Sequence, residues 1–198
     1  MTKILVINGS YRANGITDQL IETMVQELKS AGAVVKTVPL RNYPIEFCLN
    51  CRECTQQPGS LPNTCVHDDA MRQLITSIEE SDAFILASPT NFGSVTALYQ
   101  RFLERLMVYS YWPWNINAPK YRKANEPKKK ALLISSCAAP GVVGRWIYGT
   151  RKQLKTTGQM IGAKPVGTLF TGLIAKDPNH NLSDKVQSNA KALAAKLL

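Results

Sequence analysis

The chain has 198 residues, 44% apolar and 19% charged, with 24 Lys and Arg against 14 Asp and Glu for a net charge of +10. That balance suits one globular domain over residues 1–198, large enough to bury a core, and no apolar run is long enough to span a bilayer. Five cysteines are an odd set and no apolar signal region precedes the first strand, which speaks against a disulfide framework and for a cytoplasmic protein whose cysteines are thiols or ligands.

Apolar runs and helical patterns alternate along the whole chain. Residues 3–8 read as a first strand, and 16–31 as a helix with Leu20, Ile21, Met24, Val25 and Leu28 on one face and Gly32 as its stop. Residues 34–40 form a second strand, and 43–66 a loop rich in Cys, Pro and Gly. Asp68 is expected to cap a helix running to residue 80. The third strand, 83–88, is apolar on every side, as a strand buried on both faces should be. A helix over 95–109, an irregular stretch over 111–127, a strand over 130–136, one helix over 143–161, a strand over 164–170 and a last helix over 183–198 complete the order.

Five strands alternating with helices predict an α/β fold with an open parallel sheet covered on both faces. Ligands in such sheets sit at the carboxyl ends of the strands. Three loops reach that edge, at residues 9–17, 89–94 and 137–144, and they carry the small and polar residues. In the first, "NGSYRANGIT", Gly9 and Gly15 permit close backbone approach, Ser10 and Thr17 supply hydroxyls, Asn14 an amide and Arg12 a fixed charge. Set at a helix N-terminus, those groups suit a terminal phosphate. Capping residues in an ordinary turn are the competing reading. Neither GxGxxG nor GxxxxGK[ST] is present.

"GSYRANGIT" resembles the G-S-x-R-x-x-G-x-T loop of the NAD(P)H-dependent FMN reductases of flavodoxin-like fold. "SPTNFGSVTALYQRFLER" is similar to that family's S-P-x-Y-F-G-x-V-x-A…K-x-x-x-D-R stretch, and "CVHDDAM" to its C-x-x-x-D-D-M segment with Ala70 inserted. The likeness covers residues 3–105. It implies a five-stranded sheet of order 2-1-3-4-5 that binds FMN. The FMN phosphate would lie on Ser10, Arg12, Asn14, Gly15, Ile16 and Thr17. Its ring would lie beside Pro89, Thr90, Asn91, Phe92 and Gly93, with Ser136, Cys137 and Ala138 on the other edge. Asn91 stands where the family usually has Tyr, so an aromatic beside the ring is lost.

The resemblance further implies an enzyme in which hydride passes from NAD(P)H to FMN and on to a quinone, a nitro or azo aromatic, or free flavin. The flavin carries the chemistry, so no catalytic protein residue is required. Such an enzyme would be a homodimer or homotetramer acting on a small-molecule acceptor, without membrane or nucleic-acid partners.

Cys48, Cys51, Cys54 and Cys65 give C-x2-C-x2-C-x10-C, which suits a [4Fe–4S] cluster or a zinc ion. The spacing resembles iron–sulfur flavoproteins, although their last gap is shorter. Reduced cysteines near the flavin or at a subunit interface are the reading without metal. Three other functional classes stay open: an iron–sulfur flavoprotein-type electron carrier, a non-catalytic anion-binding domain, and a small flavodoxin, against which the basic charge speaks.

Ten basic residues stand between Lys120 and Lys155 against one acid, Glu126. They read either as solvated faces or as a field for a phosphorylated small molecule, with nucleic acid third because no binding motif accompanies them. The aromatic run 109–115 reads as a lid or dimer contact over the flavin, or as a loop packed on its own core. His67 and His180 are isolated and read as surface or capping residues.

Overall fold

In the computed structural model, which describes residues 1–173 and 180–198, the chain forms a five-stranded parallel sheet with helices on both faces. Strand β1 is Lys3–Asn8, β2 Val34–Pro39, β3 Ala83–Ala87, and two later strands, β6 and β7, are Lys129–Ser136 and Ala163–Thr171. Their order is β2-β1-β3-β6-β7, which is the expected 2-1-3-4-5.

The pleat sorts the core into two layers. Leu5 and Ile7 of β1, Phe84 and Leu86 of β3, and Ala131 and Leu133 of β6 point to one face. Ile4, Val6, Ile85, Leu132 and Ile134 point to the other. Successive side chains of a strand alternate faces, so a strand buried on both sides must be apolar throughout, and β3 is. Helices α2 (Met71–Glu79), α3 (Ala97–Arg105) and α5 (Thr150–Met160) cover the first layer. Helices α1 (Ile16–Ser30) and α6 (Asp184–Ala194) cover the second. Among the described residues no helix is long and apolar enough to cross a membrane.

Four expectations are corrected. Asp68 does not cap α2: it is exposed and pairs with Arg72 at 3.4 Å, while the neighbouring Asp69 accepts the Met71 amide at 3.0 Å. The helix expected over 143–161 is two helices, α4 (Gly141–Ile147) and α5, because Tyr148 turns to extended backbone and the Gly149 amide bonds to the Gly93 carbonyl at 2.7 Å. The helix expected over 95–109 ends as α at Arg105 and tightens into a 3₁₀ turn, Leu106–Tyr109. The irregular stretch contains a small antiparallel pair, β4 (Ser110–Tyr111) and β5 (Lys120–Tyr121).

Candidate functional site

Three loops leave the carboxyl ends of β1, β3 and β6 and enclose a cleft of about 460 Å³, a size suited to a cofactor. It is lined by Ser10, Arg12, Asn14, Gly15, Ile16 and Thr17 of the first loop, by Pro89, Asn91 and Thr96 of the second, and by Ser136 of the third.

The first loop is held from behind. Gly9 donates to the Ala87 carbonyl at 2.8 Å and accepts from the Thr96 hydroxyl at 2.6 Å. A Cβ at Gly9 would stand 2.8 Å from the Cβ of Tyr99, so only glycine lets the loop pass there. The Ser10 amide donates to Asn8 Oδ1 at 2.9 Å, and Arg41 donates to the Ser10 carbonyl at 3.1 Å. Asn14 takes a positive φ of 58° and donates its amide to Asp18 at 3.0 Å.

The start of α1 is left open. A helix cannot satisfy its first amides internally, and Gly15 at the N-cap receives no side-chain cap. The one carboxylate of that turn, Asp18, would repel an anion, but it is engaged by Arg41 at 3.0 Å and by Asn8 at 2.6 Å. Thr17 and Ser136 bond hydroxyl to hydroxyl at 3.0 Å, both buried. Two O–H groups share one bond between them, which leaves one proton for a ligand oxygen.

The second loop is a tight two-residue turn. Asn91 and Ser94 exchange both backbone bonds, while Phe92 and Gly93 take φ of 48° and 76°. A phenylalanine with positive φ is strained, and this one is fully exposed; neither it nor Gly93 is among the residues lining the cleft. Thr90 does not line the cleft. Its hydroxyl links Ser135 at 3.0 Å to Thr150 at 2.9 Å and so fastens the turn to β6 and α5.

Two residues of the third loop are placed elsewhere. Cys137 is buried, donates to the Ala139 carbonyl at 3.2 Å and packs against Gly144, whose Cβ would meet its sulfur at 2.5 Å. Burial pushes this thiol's pKa up. Neither Cys137 nor the exposed Ala138 lines the cleft. Conversely, Tyr11, Gln19, His180 and Asn181 do line it, beyond the residues expected from the sequence. Gln19 donates to the His180 carbonyl at 3.1 Å. An isolated histidine far along the chain carries no sequence signal for such a contact.

The cysteine loop lies apart from this cleft. Arg105, buried on α3, donates to Asp69 at 2.6 Å and to the Glu46 carbonyl at 2.8 Å. Burial alone would raise the Asp69 carboxyl, but bonds from Arg105 and from the Glu46 and Met71 amides hold it below the usual range. Arg122 donates to the Cys54 and Gly59 carbonyls at 3.3 and 3.2 Å. Arg52 lies between Trp112 and Trp114, 3.8 and 4.4 Å from their ring centres. Within the chain, the aromatic run therefore docks on the cysteine loop, not over the first cleft.

Burial, with Cys65, Cys48 and Cys51 close by, pushes the Cys54 thiol up to about 11. All five cysteines are free, and among the described residues no three His, Cys, Asp or Glu side chains stand as a metal-ligand set. Three thiols, those of Cys48, Cys51 and Cys65, stand near Cys54 without forming a metal-ligand set.

The basic stretch divides. Lys129 opens β6 at the sheet edge opposite the cleft and donates to the Glu79 carbonyl at 3.1 Å. Lys123 pairs with Glu79 at 2.7 Å, and Arg122 is buried under the cysteine loop. Arg145 and Arg151 belong instead to the cleft edge, 5.5 and 4.8 Å from the exposed Trp146 ring.

Comparison with known proteins agrees with this geometry. An iron–sulfur flavoprotein of Archaeoglobus fulgidus is 30% identical over 202 residues, covering 99% of this chain and 94% of the relative. A second protein of that name from the same organism is 33% identical over 111 residues, 56% of this chain, which spans 48% of the relative. In structure, an FMN-dependent NADH-azoreductase from Bacillus anthracis, solved with FMN, superposes with a TM-score of 0.70 over 99% of both chains at 9% identity, a likeness of fold. Residues 2–170 match the NADPH-dependent FMN reductase family, and the chain belongs to that family.

Proposed function

We propose that the protein is an FMN-dependent NAD(P)H oxidoreductase acting on a quinone, a nitro or azo aromatic, or free flavin. The supporting observation is the uncapped start of α1 facing the cleft with its local carboxylate already paired. That donor set fits a phosphate monoester. Ser10, Arg12, Asn14, Gly15, Ile16 and Thr17 would hold the FMN phosphate, and Pro89, Asn91, Phe92 and Gly93 would border the ring.

When bound, FMN supplies the two-electron chemistry between NAD(P)H and the acceptor. The chain's residues bind and orient. Thr90 would act through the turn it fastens, and the Thr17–Ser136 hydroxyl pair would place one donor at the ligand. Nicotinamide and acceptor would enter past Phe92. Arg145 and Arg151 are better placed than Lys123 or Lys129 to attract the dinucleotide's phosphates. Phe92 of the second loop and Val142, Trp146 and Ile147 of α4 are exposed apolar side chains, and they fit a homodimer or homotetramer interface. The reading places the enzyme in the cytoplasm.

FMN fluorescence titration tests this. The protein should quench one equivalent of FMN, and Arg12→Ala or Thr17→Ala should weaken binding by about 10- to 100-fold, as expected for hydrogen bonds to a charged group. Unquenched FMN with the unaltered protein would end the reading.

A second reading is supported by the gathering of Cys48, Cys51 and Cys65 around Cys54 and by the iron–sulfur flavoproteins among the relatives. In it the loop holds a [4Fe–4S] cluster and the protein passes electrons to a partner. Stoichiometric iron and acid-labile sulfide in anaerobically purified protein would favour it.

A further inference from the structure

Residues 180–182 reach the cofactor cleft from beyond the stretch that matches the family, which ends at residue 170. One side chain fastens them there. Gln19, the fourth residue of α1, donates its amide nitrogen to the His180 carbonyl at 3.1 Å and to the Asn14 carbonyl at 3.3 Å. Its amide oxygen accepts the Leu182 N–H at 3.2 Å. Both N–H groups and the oxygen of that amide are therefore in use. Because two carbonyls lie on one nitrogen, residue 180 stands beside residue 14, at the helix start. His180 and Asn181 are accordingly among the residues lining the cleft. Leu182 is buried with Leu20 and Ile21 of α1 in the second core layer, which secures the other end of the segment.

Two features say what this fastening serves. The first is the supply of donors. A phosphate monoester offers three strongly accepting oxygens. Two donors of the first loop are already shared: the Ser10 hydroxyl with the Arg12 carbonyl at 3.0 Å, and the Asn14 amide with Asp18 at 3.0 Å. Among the described residues lining the cleft, Arg12 is the lone arginine or lysine. An imidazole N–H and a side-chain amide would add donors from outside the loop. The second is sign. A free backbone carbonyl beside a phosphate repels it, and Gln19 engages the carbonyls of Asn14 and His180 with its own N–H groups.

We infer, resting on the FMN reading above, that Gln19 is a positioning residue that seats His180 and Asn181 as further ligands of the cofactor phosphate.

FMN fluorescence quenching tests this on the intact protein and three variants, each below its own urea transition. His180→Ala with Asn181→Ala should weaken FMN binding by about 10- to 100-fold, as for hydrogen bonds to a charged group. Gln19→Met keeps the length of the side chain and removes its hydrogen bonds, and it should give a loss of the same order. Combining all three substitutions should cost little more than the larger of the two losses, because Gln19 then has nothing left to seat. Riboflavin, which lacks the phosphate, should be quenched alike by all four proteins. A combined loss equal to the product of the separate losses would make Gln19 and the segment independent. Unchanged FMN affinity in either variant, or an equal loss for riboflavin, would reduce the bonds to the docking of α6 on α1. Each of these overturns the inference, while quenching of FMN by the unaltered protein keeps the cofactor reading. Unquenched FMN with the unaltered protein removes both.

Discussion

Residues 9–17 and residues 46–66 are both irregular; side chains hold amides and carbonyls in each, but buried arginines hold several carbonyls of the second. In the first, side-chain oxygens take amides: Asn8 holds the Ser10 amide at 2.9 Å and Asp18 the Asn14 amide at 3.0 Å. The amides of the following helix turn receive no side-chain cap. In the second, arginines take carbonyls: Arg105 that of Glu46, and Arg122 those of Cys54 and Gly59. The first loop leads into an uncapped helix start, whose amides suit an anion. The other has the Glu46, Cys54 and Gly59 carbonyls tied to arginines and carries four thiols.

The comparison breaks most visibly at Asp69. Its pair with Arg105 is buried, at 2.6 Å with side chains 9% and 1% exposed. Asp69→Asn leaves the guanidinium uncompensated and should cost about 3–5 kcal/mol in urea unfolding. Limited proteolysis should then cut within residues 46–66 while FMN affinity below the transition holds. The pair also sets a pH dependence. A carboxyl held below its ordinary 3.8 gives stability that is complete above that value and lost as pH falls toward the depressed folded value. The unaltered protein should weaken through this acid window, and Asp69→Asn should flatten that part of the curve. Equal loss of FMN binding and cysteine-loop order would show the two regions to be one unit.

Gly9→Ala probes the other loop. The new methyl would stand 2.8 Å from Cβ and Cδ2 of Tyr99, groups fixed in the core. Overpacking of this kind costs about 1–3 kcal/mol. The displaced loop should bind FMN more weakly, with the proteolysis pattern of residues 46–66 unchanged. If Gly9→Ala leaves FMN affinity at the unaltered level, the loop does not depend on the close approach.

The two regions also differ in how far the sequence discloses them. The strands and the helix faces follow from periodicity and from apolar runs such as β1 and β3, whereas the strand order comes from the resemblance. Much of the first loop was legible because its donors sit consecutively between a strand and a helix. Thr90 was not legible as scaffold, since its side chain's direction depends on Ser135 and Thr150, 45 and 60 residues away. The break at Tyr148–Gly149 depends on the Gly93 carbonyl, another distant partner. The cysteine loop was legible only as a spacing. Its anchors Arg105 and Arg122 reach it from 59 and 63 residues along the chain, and no local pattern reports that.

Thiol reactivity sharpens the contrast on a finer scale. Cys48, Cys51 and Cys65 are half-buried, whereas Cys54 and Cys137 are buried. Cys54 rises from 9.0 to about 11 through burial and then through its three sulfur neighbours. Two units mean about a hundredfold less thiolate at neutral pH, partly offset because a more basic thiolate attacks faster, so the net slowing is about tenfold. Timed iodoacetamide labelling of chelator-treated, freshly reduced protein, read by peptide mass spectrometry, should modify Cys48, Cys51 and Cys65 first and Cys54 and Cys137 last. Arg122→Met should erase the lag at Cys54, because it frees the carbonyl that fixes that residue inward. An early-labelled Cys54 in the unaltered protein would mean that the arginines do not hold the loop closed around it.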